Sequence, residues 1–205
     1  MNIGILSYGC GNIYSFINSC NNLNLPNFVI TESNEFTKAS HIILPGVGSF
    51  DDVIMKLKNS GLLNTLEKFV HNYEIPFLGV CSGMQVLFES SEEGQQKGLS
   101  WLSGNAKKFS VTKPDNKPLK IPHIGWNKVI SKEGGFFDFC NNEEFYFLHS
   151  FYCIPSSHKE SILDSYYGIN FTSAIKNKNI LATQFHPEKS HNSGMKLLNK
   201  FSNLS

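Results

Sequence analysis

The sequence predicts an α/β fold: an open mixed sheet with helices on both faces, extended by antiparallel strands in its second half. Three observations predict it. Through the first ninety residues, short apolar runs alternate with amphipathic stretches, as strands buried between two helical layers require. From Trp101 to Thr183 the apolar runs are separated by turn residues and carry little helical periodicity, which is the pattern of hairpins. Helical periodicity returns only near the end, in "SGMKLLNKF" (193–201).

The elements follow in order. "NIGILS" (2–7) reads as a buried strand. "GNIYSFINSCNNL" (11–23) reads as a helix with Ile13, Phe16, Ile17 and Cys20 on one face. "NFVIT" (27–31) and "HIILP" (41–45) read as strands. Residues 51–72 carry helical periodicity broken near Gly61, hence two short helices. "PFLGV" (76–80) is a further buried strand and "MQVLFES" (84–90) a further helix. In the second half, "NAKKFSV", "WNKVIS", "EFYFLHS", "FYCIP", "SILDSYY", "TSAIKN" and "NILATQF" read as strands of one mixed sheet. "KPDNKPLKIPHIG" (113–125), rich in Pro and Lys, reads as a surface loop. No linker separates the halves, and 205 residues suit a single domain spanning 1–205.

Composition narrows the function. The net charge is +1 and all 18 basic residues are lysine, so no broad field attracts nucleic acid or a membrane surface. A chain without arginine also lacks the fork-shaped donor that grips phosphate or carboxylate through two parallel bonds. The five cysteines (Cys10, Cys20, Cys81, Cys140 and Cys153) are odd in number and widely spaced, which fits neither a disulfide framework nor a zinc site. No cofactor and no metal are expected. No apolar run approaches the ~20 residues that span a bilayer, and the N-terminus lacks the basic flank of a signal peptide. The expected compartment is the cytoplasm.

One stretch stands apart. In "FLGVCSGMQVLFES" (77–90), Cys81 lies between Gly79 and Gly83, where a strand gives way to a helix. That is the spacing of a nucleophile elbow with cysteine in the serine position. The following helix start offers N–H donors to an oxyanion. A small buried core cysteine is the ordinary alternative. A thiol nucleophile also needs a base, and the base needs an orienting group. "ATQFHPEKS" (182–190) places His186 and Glu188 two apart after an apolar run, on a turn stiffened by Pro187. In "LPGVGSF" (44–50), Gly46 and Gly48 let the peptide between Val47 and Gly48 turn without Cβ clashes. Alone, that stretch is equally an ordinary strand-to-helix turn.

With these pieces the whole chain resembles the class I (triad-type) glutamine amidotransferases, which share a flavodoxin-like sheet. Within them it is most similar to the branch that supplies the glutaminase subunit of imidazole glycerol phosphate synthase. "YGCGNIYS", "PGVGSF", "GVCSGMQ", "SSEEG", "PHIGWN", "FLHSFY" and "QFHPEKS" occur in the family's order. The resemblance implies that Cys81 attacks the side-chain amide of glutamine, His186 carries the proton to departing ammonia, and Glu188 holds His186. It implies an oxyanion hole from the N–H of Ser82 and one from the Val47–Gly48 stretch. Gln85 and Glu93 would contact glutamine, and the main chain at Ser150 and Phe151 would hold its carboxylate. The ammonia would pass to a separate (β/α)8-barrel cyclase subunit, faced by Asn12, Trp126, Tyr146 and Lys189. Read without the resemblance, those four are a helix-start polar residue, two core aromatics and a surface lysine.

Ser82 departs from the family, many of whose members carry leucine there. Trp101 in "GLSWL" is similar to a paralogous branch that supplies ammonia to a surface-glycan sugar amidotransferase, so both acceptor pathways stay open. A thiol-dependent stress protein or peptidase on a related sheet is the rival of another class; the H-P-E after a late strand argues against it.

Overall fold

The computed structural model describes residues 1–110, 119–132, 136–157 and 159–204. The chain opens with β1 (Ile3–Leu6), α1 (Ile13–Asn22), β2 (Asn27–Ile30), a 3-10 helix (Ser33–Lys38) and β3 (His41–Gly46). Asn12 starts α1 by accepting the Ser15 N–H (3.3 Å), and Phe16 and Cys20 are buried beneath it with Ile13 and Ile17 packed alongside. Next come α2 (Phe50–Asn59) and α3 (Leu63–Glu67), separated at Gly61, whose φ is +73°. Ser49 caps α2, Asp51 and Asp52 lie in its first turn, and Lys56 and Lys58 lie in its last, each charge complementing the helix dipole.

β4 (Phe77–Cys81) runs into α4 (Ser82–Gln85), then β5 (Ser90–Ser91) and β6 (Gly104–Lys108). The helix expected over 84–90 therefore ends at Gln85. Val86, Leu87 and Phe88 are all fully buried, but their carbonyls are not kept for a further helical turn. Their carbonyls go to the returning loop instead: Leu99 N–H bonds Val86, Trp101 N–H bonds Leu87, and Ser100 N–H bonds Phe88. Trp101 packs edge-on against Phe77 and His71.

The second half comprises β7 (His123–Lys128), β8 (Ile130–Ser131), β9 (Glu144–His149), β10 (Phe151–Pro155), β11 (Ser161–Tyr167), β12 (Ile169–Asn177), β13 (Ile180–Thr183) and α5 (His191–Ser202). The expected loop over 113–125 is corrected at its end, because His123–Gly125 begin β7; residues 113–118 lie outside the described residues.

The main sheet runs β2-β1-β3-β4-β13-β12-β10-β6-β5, with β11 and β8 attached beside β12. β2, β1, β3, β4 and β13 are mutually parallel. Both faces are buried: Ile42 and Leu44 belong to one core and Ile43 to the other. The single mixed sheet expected from sequence is corrected too, since β7 and β9 pair only with each other. Their inner side chains pack against the main sheet and its margin: His123 stacks on Tyr167 of β11 (3.9 Å), and Phe145 meets Phe185, just past β13, at a tilt (4.1 Å), ring centre to ring centre. A strand pair that buries one aromatic face this way forms a second layer instead of extending an edge. All five cysteines are free and buried. Among the described residues no helix is long and apolar enough to cross a membrane.

Candidate active site

The adjacent parallel strands β3, β4 and β13 end side by side; Gly46 is in register with Cys81, and Val80 with Thr183. Crevices at such strand ends are where parallel sheets place their chemistry. The three strands deliver the Val47–Gly48 loop, Cys81 and the His186 turn.

Cys81 adopts φ +56° and ψ −115°, a strained backbone for a residue with a Cβ. Three glycines make room for it. A Cβ on Gly79 would lie 2.7 Å from the Gly83 carbonyl oxygen, one on Gly83 would lie 2.4 Å from that of Leu44, and one on Gly46 would lie 1.9 Å from Gly83 N. The G-x-C-x-G spacing is thus a steric requirement of the turn. Gly46 has a different purpose from the one expected: it admits the elbow, while Gly48, at φ +121°, is the glycine whose backbone other residues avoid. The Ser82 hydroxyl donates to the Gly48 carbonyl (2.7 Å), tying the loop to the elbow. Leucine at position 82 has no such bond to give.

A cavity of about 290 Å³ opens above the thiol. Val47, Gly48, Cys81, Ser82 and His186 line its reactive side. Gln85, Glu93, His149, Ser150, Phe151 and Lys189 are among the residues that line the rest. His186 is 2% exposed, and its Nδ1 meets Glu188 Oε1 at 2.8 Å. Glu188 Oε2 is buried without a hydrogen-bond partner among the described residues. The turn is stapled to β9, where His186 N–H donates to the Tyr146 carbonyl (2.9 Å) and Ser190 Oγ accepts from Tyr146 N–H (3.0 Å). Burial opposes charge on the imidazole, but the neighbouring Cys81 and then Glu188 outweigh it and raise its pKa to about 10. Glu93 Oε2 accepts the N–H of Phe50 at the start of α2 (2.8 Å), which fixes a carboxylate at the cavity wall.

Gln85 spends its amide nitrogen on the Phe151 carbonyl (3.1 Å) and on Gln184 Oε1 (3.0 Å). Gln184 in turn points its own nitrogen at Cys81 Sγ (3.8 Å). Sequence reasoning missed Gln184 and His149; the signal for Gln184 was its place in "QFHPEKS", one residue past β13. Trp126 and Tyr146 come together outside the cavity, and Lys189 bridges from its lining toward them. Trp126, 45% exposed, lies edge-on to Tyr146 (6.1 Å) and stacks on His191 (5.0 Å), and Lys189 Nζ sits 5.8 Å from the Tyr146 ring. No hydrogen bond or ring contact among the described residues joins Asn12 to them. Nor do three or more His, Cys, Asp or Glu gather among the described residues to hold a metal ion.

A family model described as glutamine amidotransferase class-I matches residues 12–203. The imidazole glycerol phosphate synthase subunit HisH of Leptospira interrogans is 45% identical over 204 residues, covering 98% of this chain and 100% of that protein. The subunit of the same name from Bdellovibrio bacteriovorus is 41% identical with the same coverage. Among solved structures, a glutamine amidotransferase superposes with a TM-score of 0.75 at 14% identity over 98% of each chain. The structure of PurLQS from Thermotoga maritima gives 0.72 at 15% identity, over 98% of this chain and 97% of that one. At those identities the two structures bear on the fold alone.

Proposed function

We propose that this chain, which belongs to the class I glutamine amidotransferase family, is the glutaminase subunit of imidazole glycerol phosphate synthase. It hydrolyses L-glutamine to L-glutamate and ammonia and passes the ammonia to a (β/α)8-barrel cyclase subunit in histidine biosynthesis. The observation that carries the reading is the convergence of Cys81 and the His186–Glu188 pair on one cavity, at the ends of adjacent strands. The names of the relatives support the choice of pathway. We read residues 1–205 as one domain acting in the cytoplasm.

In this reading Cys81 Sγ attacks the amide carbon of glutamine, and the oxyanion is met by the N–H of Ser82 and one from the Val47–Gly48 peptide. His186 takes up the thiol proton and delivers it to the departing ammonia, leaving a γ-glutamyl thioester. Glu188 fixes the imidazole and stabilises its charged form. Water, giving a proton to His186, then releases glutamate and restores the thiol. Gln85, Glu93 and the main chain at Ser150 and Phe151 hold the substrate, Glu93 taking its ammonium.

The barrel partner docks on the outer face of β7 and β9. There Ile124 pairs with Leu148 and Trp126 with Tyr146, and Ile124 and Trp126 are 57% and 45% exposed. Paired apolar side chains facing solvent mark a protein contact. Lys189 and the capping residue Asn12 lie at the rim of that contact. Trp101, the cue for the surface-glycan alternative, packs edge-on against Phe77, which favours neither acceptor; the relatives' names favour histidine biosynthesis. The stress-protein or peptidase alternative has no use for a carboxylate fixed in the cavity wall.

The test is steady-state glutaminase kinetics of the chain alone and with the cyclase barrel and its acceptor substrate. One oxyanion donor is worth about 10²–10³ in rate, so the complex should exceed the isolated chain by at least about 10²-fold in kcat. Equal kcat, with the complex confirmed by gel filtration, would mean that partner binding does not turn the Val47–Gly48 N–H toward the oxyanion. No glutamine turnover in either condition would overturn the function.

A further inference from the structure

His149 lines the cavity and His123 backs it from behind, and neither belongs to the triad. With both rings neutral, their hydrogen bonds admit only one proton order. His149 Nδ1 lies 2.8 Å from the Phe151 carbonyl; a carbonyl only accepts, so Nδ1 carries the hydrogen. His149 Nε2 is then the acceptor, and His123 Nδ1, 2.9 Å away, must donate to it. His123 Nε2 accepts from Asn127 Nδ2 (3.3 Å), whose second hydrogen goes to the Tyr166 carbonyl (3.0 Å). At the other end, the Phe151 carbonyl also receives Gln85. The Phe151 carbonyl is free for this because Phe109 N–H takes the neighbouring Ser150 carbonyl (3.1 Å), which makes Phe151 and Lys108 a non-hydrogen-bonded pair whose peptide groups point away from each other.

We infer that His123 and His149 are positioning residues for glutamine, a proton-ordered neutral pair that fixes the Phe151 carbonyl and thereby aims the Ser150–Phe151 main chain at the substrate's α-carboxylate. The inference rests on the glutaminase reading. A chain without arginine has no side-chain fork to grip a carboxylate through two parallel bonds, so main-chain donors carry more of the task, and a peptide plane grips an anion only if it is held in orientation. Burial keeps both rings uncharged: it lowers the pKa of His149 to about 3, helped by His123 and His186, and that of His123 to about 4. The titratable groups facing the pair among the described residues are His186 and Tyr167; the remaining surroundings are Phe109, Phe147 and Phe171.

The experiment measures the L-glutamine concentration that halves the rate of Cys81 alkylation by iodoacetamide, which reads substrate binding without needing turnover. His123→Phe removes the donor to His149 and leaves the cavity lining intact. Loss of an aligned hydrogen bond to an anion site costs roughly tenfold or more in affinity, so half-protection should need about tenfold more glutamine, with the unprotected alkylation rate unchanged. His149→Phe should behave likewise, while His149→Asn, whose amide can replace Nδ1–H, should restore protection. In the wild-type protein, nitrogen NMR of the imidazoles should find both rings neutral with hydrogen on Nδ1. An Nε2–H tautomer on either ring overturns the inference even if His123→Phe fails to fold. So does a folded His123→Phe with unchanged protection. Wild-type protein that glutamine neither protects nor occupies would instead overturn the glutaminase reading itself, and this inference with it.

Discussion

The two walls of the cavity are held by different physics. The elbow wall is held by backbone contact: Gly46, Gly79 and Gly83 let three chain segments meet where no Cβ fits. The opposite wall is held by side chains, in a run of hydrogen bonds from Asn127 through both histidines to Phe151, Gln85 and Gln184. The first kind of contact places a nucleophile rigidly. The second is assembled from strands far apart in sequence and lies directly beneath the face that we assign to the partner. In the proposed reading, chemistry sits on the rigid wall, and substrate recognition and coupling sit on the wall that a partner can reach.

Substitutions on the two walls should therefore separate. The largest effect is expected from Cys81→Ala, which removes the covalent route. Glutamine turnover should fall by roughly four orders of magnitude or more, with the thermal unfolding midpoint unchanged within a few degrees. Gly46→Ala comes next. Its Cβ would sit 1.9 Å from Gly83 N, so the elbow must shift. A misplacement of about 1 Å costs on the order of 10² in rate, and kcat should drop accordingly, with a lower unfolding midpoint. Near-normal kcat would mean that the backbone contact is not what positions the thiol.

Trp126→Ala tests the other wall from outside. An exposed aromatic at the centre of an interface is worth about 2 kcal/mol or more, so partner affinity should fall roughly 30-fold. The slow turnover of the isolated chain should not change. Titration by calorimetry or fluorescence decides it. The smallest effect is expected from pH. The depressed pKa values of His123 and His149 give stability that is present above their ordinary value near 6.5 and is lost as pH falls toward about 4 and about 3. The raised His186 acts oppositely: its contribution is complete below about 6.5 and is lost as pH rises through about 10. The unfolding midpoint should thus decline on acidification below pH ~6.5, and less steeply in His123→Phe. Equal acid slopes would remove the pair from the account.

The same contrast explains what was legible in the sequence. Glycine leaves a mark wherever backbones meet, so the elbow, the loop at Gly46–Gly48 and the break at Gly61 were readable, as were the alternating buried strands. The helix expected over 84–90 failed because apolar periodicity does not reveal that neighbouring carbonyls are claimed by residues 98–102. The separate β7–β9 layer was missed because a strand's pattern records which side is buried, not which sheet buries it. His123, His149 and Gln184 were invisible as a group, since their partnership depends on a register that brings positions 26 residues and more apart into contact.

The central claim is that Cys81 forms a covalent intermediate with glutamine. Acid quenching of the complex during turnover, followed by peptide mapping, tests it most directly. The account predicts a γ-glutamyl thioester on the peptide carrying Cys81, absent from Cys81→Ala. Turnover with no adduct on Cys81, or with the adduct on another cysteine such as Cys10, would contradict it.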